Sequence, residues 1–153
     1  MKRRTALLFA LAPGMLPAQE PSAFVVEFIQ EFDMPRDRLF DNSVLWLAET
    51  ARSAKAVIDL KDKELGTIIG NATTPLSIAW GVNVPMIFKI RIDVKDNKYR
   101  LTFSQVQLNF DYGMKPIEQA NRASLEPKAS AKFEELATAY RSYLAAASKA
   151  KPW

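Results

Sequence analysis

MIFKIRIDVKDNKYRLTF, residues 86–103, decides how this chain folds. In an extended strand, Met86, Phe88, Ile90, Ile92 and Val94 face one way, and Lys89, Arg91, Asp93 and Lys95 face the other. Asp96-Asn97 can turn the chain, because both residue types tolerate positive φ. A two-residue loop there sets Val94 opposite Tyr99, Ile92 opposite Leu101 and Ile90 opposite Phe103, all on the apolar face. The same register sets Asp93 opposite Arg100 on the polar face, as a cross-strand charge pair. A slip of one residue would ruin both faces at once, so the spacing predicts one hairpin in one register.

Working outward, the alternation loses phase at Ser104-Gln105, beyond which Val106, Leu108, Phe110 and Tyr112 are the apolar positions. One extra residue restores the inward phase, which is what a β-bulge supplies. Before the hairpin, Phe24–Phe32 reads as strand one. Arg36 to Ser53 reads as a helix, with Pro35 at its start and Leu39, Phe40, Ser43, Val44, Leu47, Ala48 and Ala51 on one side. Lys55–Lys61 alternates as strand two, with Ala56, Ile58 and Leu60 inward. Leu65–Thr73 is strand three. Thr74–Pro85 and Gly113–Ala129 read as long connections, punctuated by Pro75, Gly81, Pro85, Pro116 and Pro127. Ser130 is placed to cap a second helix carrying Phe133, Leu136, Ala137, Tyr140 and Leu144. The order β-α-β-β-β-β-α predicts an α+β domain: a five-stranded antiparallel sheet with both helices on one face.

The N-terminus reads as a secretory signal peptide. Met1-Lys2-Arg3-Arg4 is its basic region, Thr5–Ala12 its apolar run, and Ala18 the small residue before the cut. The apolar run is far short of the ~20 residues a spanning helix needs, so no transmembrane anchor is expected. The expected organisation is a signal peptide over 1–18, a short leader over 19–23, one domain over 24–149 and a frayed end over 150–153. Export to the periplasm or the medium follows. The basic balance, +4 from 21 Lys and Arg against 17 Asp and Glu, owes three of its charges to Lys2, Arg3 and Arg4; without them the chain stands at +1. That is no electrostatic case for nucleic acid.

LFDNSVLWLAETARSAKAVIDLKDKELGTIIGNAT (Leu39 to Thr73), followed by IFKIRIDVKDNKYRLTF (Ile87 to Phe103), resembles an uncharacterised bacterial domain family described as having a TBP-like fold. The resemblance rests on the helix with Trp46-Leu47, then Ala56-Val57-Ile58, a charged turn, Ile68-Ile69-Gly70 and the hairpin. It implies a curved sheet in spatial order 1-5-4-3-2, both helices on its convex side, and exported proteins. It implies no activity.

Without Cys or His, disulfides, thiolate or imidazole metal sites, cysteine nucleophiles and the Ser-His-Asp triad are all excluded. Asp59, Asp62, Glu64, Asp93 and Asp96 could in principle serve a hydrolase, but each sits on a polar strand face or a turn beside Lys or Arg, where a surface charge is the plainer reading. No catalytic residue, cofactor or metal is assigned. The TATA-binding protein puts apolar wedges and basic residues of its open sheet face into the minor groove. Here that face would carry Lys89, Arg91, Asp93, Lys95, Arg100, Thr102, Gln105, Gln107, Asn109 and Asp111, mixed and without wedges, so nucleic acid is not expected as a partner. The expectation is a non-enzymatic domain that binds a protein or small ligand. The alternatives are a hydrolase using acidic residues of the long loops and a structural module of the cell envelope. Both long connections fall at the same end of the sheet. They bring Trp80, Tyr112, Met114 and Ile117 together as a candidate binding surface, with Trp80 either a contact residue or a plug of the core.

Overall fold

In the computed structural model, which describes residues 22–54 and 57–150, the hairpin takes the expected register. The elements are β1 (Val26–Glu31), α1 (Arg36–Ala54), β2 (Val57–Asp62), β3 (Thr67–Ala79), β4 (Val82–Lys95), β5 (Lys98–Phe110), β6 (Gly113–Pro116), a 3-10 turn (Ile117–Gln119) and α2 (Arg122–Lys149). The sheet is antiparallel in the order β1-β5-β4-β3-β2. It has six strands where the sequence suggested five, because β5 is long enough to serve two partners. Its first half pairs β1, and its second half pairs β6. The signal-peptide segment, residues 1–18, and the end 151–153 lie outside the described residues.

Val94 faces Tyr99, Ile92 faces Leu101, Ile90 faces Phe103, and Asp93 faces Arg100. Asn97 takes the positive φ of the turn, 59°. Asp96 instead aims its carboxylate at the start of α1 and accepts the Arg36 N–H at 2.9 Å, which satisfies an orphan helix donor. The turn is tied down further by backbone bonds from Asn97 to Met34 and from Phe32 to Asn97, both 3.0 Å. The bulge also falls where the phase slips. Gln105 has φ 50°, and the register between β4 and β5 shifts between Ile87 and Lys89.

Five expectations are corrected. Thr74–Pro85 is not a long connection: β3 and β4 continue through it as a hairpin closed by Trp80-Gly81, with Gly81 at φ 73°. Pro75 lies opposite Pro85. Two facing prolines have no N–H to exchange, so they can only form a pair whose nitrogens point away from each other. On those outer sides β2 pairs no further than Asn71 and β5 no further than Met86, so neither proline removes a ladder bond. Gly113–Ala129 is not a loop either, but β6, the 3-10 turn and the first turns of α2. Helix α2 begins at Arg122 and not at Ser130. It carries Pro127 in its interior, a conflict with helix geometry that the burial of Leu125 and Ala129 on the same face offsets. Leu60 does not point inward. The register of β2 shifts between Ile58 and Leu60, which turns Leu60 to the open face opposite Ile69, 45% exposed. Ile117, the last correction, is fully buried in the core.

The core lies between the helices and one face of the sheet. Met86, Phe88, Ile90, Ile92, Val94, Tyr99, Leu101 and Phe103 are all buried. Helix α2 lays Phe133 flat on Phe103, centroids 4.4 Å apart, and Tyr140 between Trp46 and Tyr99, 4.9 Å from each. The Tyr140 hydroxyl meets the Ser43 hydroxyl of α1 at 2.6 Å. Burial pushes the Tyr140 hydroxyl far above its ordinary range, against the pull of that hydrogen bond. The pair joins the two helices across the apolar layer without leaving a polar atom unsatisfied.

Candidate functional site

Alternation in the strands leaves one sheet face without helices. On it, near the β4–β5 turn, Asp93 is held by Arg91 at 3.0 Å, Arg100 at 3.1 Å and the Thr67 hydroxyl at 2.8 Å. Burial alone would raise the Asp93 carboxyl, but hydrogen bonds from Arg91, Thr67 and Arg100 and the attraction of Arg91 outweigh it and hold it below 3.8. A carboxyl depressed by folding stabilises the native state at neutral pH, and that contribution fades as pH falls through the depressed value. Wild type should therefore lose stability more steeply than Asp93→Asn as unfolding is followed from neutral pH to below 3.8. Parallel curves would mean the carboxylate is not held by its neighbours.

Of the other carboxylates singled out in the sequence, Asp59, Asp62 and Asp96 are tied into structure. Asp59 accepts from the Asn71 amide, and Asp62 accepts the Leu65 N–H at 3.0 Å within the β2–β3 turn. Asp96 caps α1, whereas at Glu64 it is the backbone carbonyl and not the carboxylate that accepts from the Arg36 guanidinium. Among the described residues no three acidic groups converge in a way that could hold a metal ion.

The far end of the sheet differs in kind. Trp80 stands at the tip of the β3–β4 hairpin and is fully exposed, at 101%. It is therefore not a plug of the core. Tyr112 occupies the β5–β6 turn, exposed but stacked on Phe110 at 5.1 Å, with the Lys115 ammonium 5.5 Å from its ring. Met114, half exposed on β6, pairs with Asn109. Two tight turns thus share one end of the sheet, and Trp80, Tyr112 and Met114 belong to it. Ile117 does not join them as surface. It anchors the 3-10 turn from inside.

Two residues of this end escape a reading of the sequence. Val82, beside Trp80, is half exposed. Lys128 reaches from α2 to donate to the Ile78 carbonyl at 2.7 Å, just behind the tip. One signal was available for the hairpin itself: no charged residue occurs from Leu65 to Phe88 in a chain that is 25% charged. Both faces of the distal hairpin are neutral.

No helix of the described residues is long and apolar enough to cross a membrane. Among curated proteins none matches the chain in sequence. Its fold is shared by solved structures. A DUF4468 family protein from Bacteroides ovatus superposes with a TM-score of 0.65 at 16% identity, covering 91% of this chain and 93% of its own. A TBP-like protein from Parabacteroides distasonis gives 0.64 at 16% identity, covering 83% and 94%. Residues 27–109, more than half of the sequence and the span from β1 to the end of β5, match the domain of unknown function DUF4468 with TBP-like fold, and the chain belongs to that family.

Proposed function

We propose that the chain is an exported, non-catalytic binding domain whose contact surface is the sheet end bearing Trp80, Tyr112 and Met114. The observation that carries this reading is the complete exposure of Trp80 on a hairpin whose packing does not use it. A tryptophan left in water at a hairpin tip is the residue type that most often dominates an interface once it is covered. The neutral flanks of the hairpin leave no charge to desolvate when that happens. Catalysis has little support, since the chain holds neither His nor Cys and Asp59, Asp62, Asp93 and Asp96 are engaged as described. Nucleic acid has little support as well. On the open face Lys89, Arg91, Lys95, Lys98 and Arg100 are set against Glu27, Glu31, Asp62 and Asp93, a near balance that offers a phosphate backbone no net attraction.

The experiment compares wild type with Trp80→Ala as bait in a crosslinking pull-down from the cell-envelope fraction, with Lys89→Ala as the control on the open face. Partners lost from Trp80→Ala and kept by Lys89→Ala are the expected result. Capture unchanged by Trp80→Ala would remove this surface from consideration. Export has its own check: N-terminal sequencing of the mature protein should begin at Gln19, and retention of Met1 on exported material would refute the cleavage.

A further inference from the structure

The hairpin that carries Trp80 can be ranked against the kinds of partner that could cover it. Strand addition is blocked. The outer edge of β3 beyond Asn71 is unpaired, but Pro75 sits in the middle of that edge with its nitrogen outward, where an added strand would need a donor. A pocket in a protein partner would cover the tip and one flank, and the rest of the hairpin could carry charge at no cost. Here the inward residues from Ile68 to Phe88 are core, but the outward Pro75, Ser77, Asn83 and Pro85 and the whole tip from Ala79 to Val82 carry no charge either. A medium that surrounds the tip on all sides is the environment that suits a tip uncharged all round.

The depth limit is also visible. The Lys128 ammonium is bonded to the carbonyl of Ile78, and a cation does not enter hydrocarbon without a large penalty. Beyond Ile78 the hairpin has only Ala79, Trp80, Gly81 and Val82. Two residues of strand extend it by roughly 7 Å. That is the reach of a shallow interfacial insertion, about 5–10 Å, and it leaves the loop amides of Trp80 and Gly81 where water still reaches them. The β5–β6 turn with Tyr112 lies at the same end of the sheet. Tyr and Trp are the side chains that favour the bilayer–water boundary.

We propose, resting on the contact-end reading above, that this end of the sheet docks on a phospholipid bilayer surface, with Trp80 and Val82 in the interfacial layer and Lys128 at headgroup level. Charge contributes little. Arg122 is paired with Glu126 at 2.6 Å and Glu118 accepts the Phe24 N–H at 2.8 Å, while Asp111 offsets Lys115 in the neighbouring turn and strand. Docking is therefore apolar, reversible and weakly dependent on headgroup charge.

The test is co-sedimentation of the purified full chain with vesicles of phosphatidylcholine alone and of phosphatidylcholine mixed with phosphatidylglycerol. Wild type should bind both to a similar degree. Trp80→Glu should weaken binding about tenfold or more, since it replaces the inserted apolar area with a charge. Leu65→Glu, an exposed apolar site, 72%, in the turn at the opposite end of the sheet, should leave it unchanged. Matching unfolding midpoints establish that both variants are folded. Absence of wild-type binding, binding only to the anionic vesicles, or equal losses in the two variants would overturn the bilayer assignment. Trp80-dependent capture of a protein without vesicle binding would overturn it too and leave the contact-end reading standing. Loss of both results would end both.

Discussion

Phe103→Ala should cost about 3–5 kcal/mol in equilibrium unfolding by denaturant. Phe103 is completely buried at the middle of β5, paired with Val26 on one side and Ile90 on the other. Its ring lies flat on Phe133 of α2 and meets Phe28 and Phe88 edge-on at 6.2 and 5.7 Å. Three strands and a helix thus converge on one side chain. Truncation removes the transfer free energy of the ring and opens a cavity whose walls are other rings on hydrogen-bonded strands, which have little room to collapse. Lys89→Ala, on the other face of the same sheet, should stay within about 0.5 kcal/mol. Equal losses from the two would mean that the faces of the sheet have been interchanged.

Gly66→Val should cost about 2–4 kcal/mol, through strain and not through lost burial. Gly66 closes the β2–β3 turn at φ 67°, where a β-branched residue is strongly disfavoured. A Cβ there would lie 2.7 Å from the Val94 carbonyl oxygen. That oxygen belongs to a strand held in place by the 2.8 Å bond from the Val94 N–H to the Gly66 carbonyl, so neither side can yield without breaking the contact. Unfolding of this variant should show a lower midpoint with an unchanged denaturant slope. Gly81→Ala makes the useful comparison. Gly81 has a similar φ, 73°, but nothing within 4 Å of its would-be Cβ, so it should lose only the conformational part, about 1 kcal/mol. Equal costs at the two glycines would show that the close approach to Val94 does not matter.

The hairpin at 86–103 is legible because two independent constraints, the apolar pairing and the Asp93–Arg100 pair, agree on one register. The bulge at Gln105 is legible because a phase slip has few other remedies. Turn chemistry misleads elsewhere. Pro75, Gly81 and Pro85 are loop signals taken singly, and only the sheet reveals that the prolines face each other at positions where no neighbouring strand needs their N–H. Pro127 hides the first turns of α2 for the same kind of reason: a local penalty is outweighed by burial of Leu125 and Ala129, which no local pattern displays. Leu60 is misassigned because its alternation is broken by a bulge with no side-chain signature. The family was legible through the helix, turn and hairpin that carry the resemblance, and residues 27–109 cover that same region. Of the candidate surface, Trp80 stood out as a large aromatic in a turn-rich stretch. Its exposure is a property of where β3 and β4 end relative to the helices, and Lys128 enters only through tertiary contact.

A TBP-like architecture by itself assigns no chemistry. In this chain the open face is knitted together by its own charges around Asp93, while the most exposed large apolar side chain, Trp80, stands at the sheet end with Val82, Tyr112 and Met114. Function is therefore sought at the tip of the β3–β4 hairpin and not on the face used by the protein that gives the fold its name.

Whether Trp80 serves contact or core decides the matter. Denaturant unfolding of Trp80→Ala beside wild type measures this directly. A midpoint and slope that leave stability within about 0.5 kcal/mol of wild type are predicted, because the side chain touches water all round. A loss of about 3–5 kcal/mol, the cost of truncating a buried tryptophan, would contradict the assignment and return Trp80 to the core.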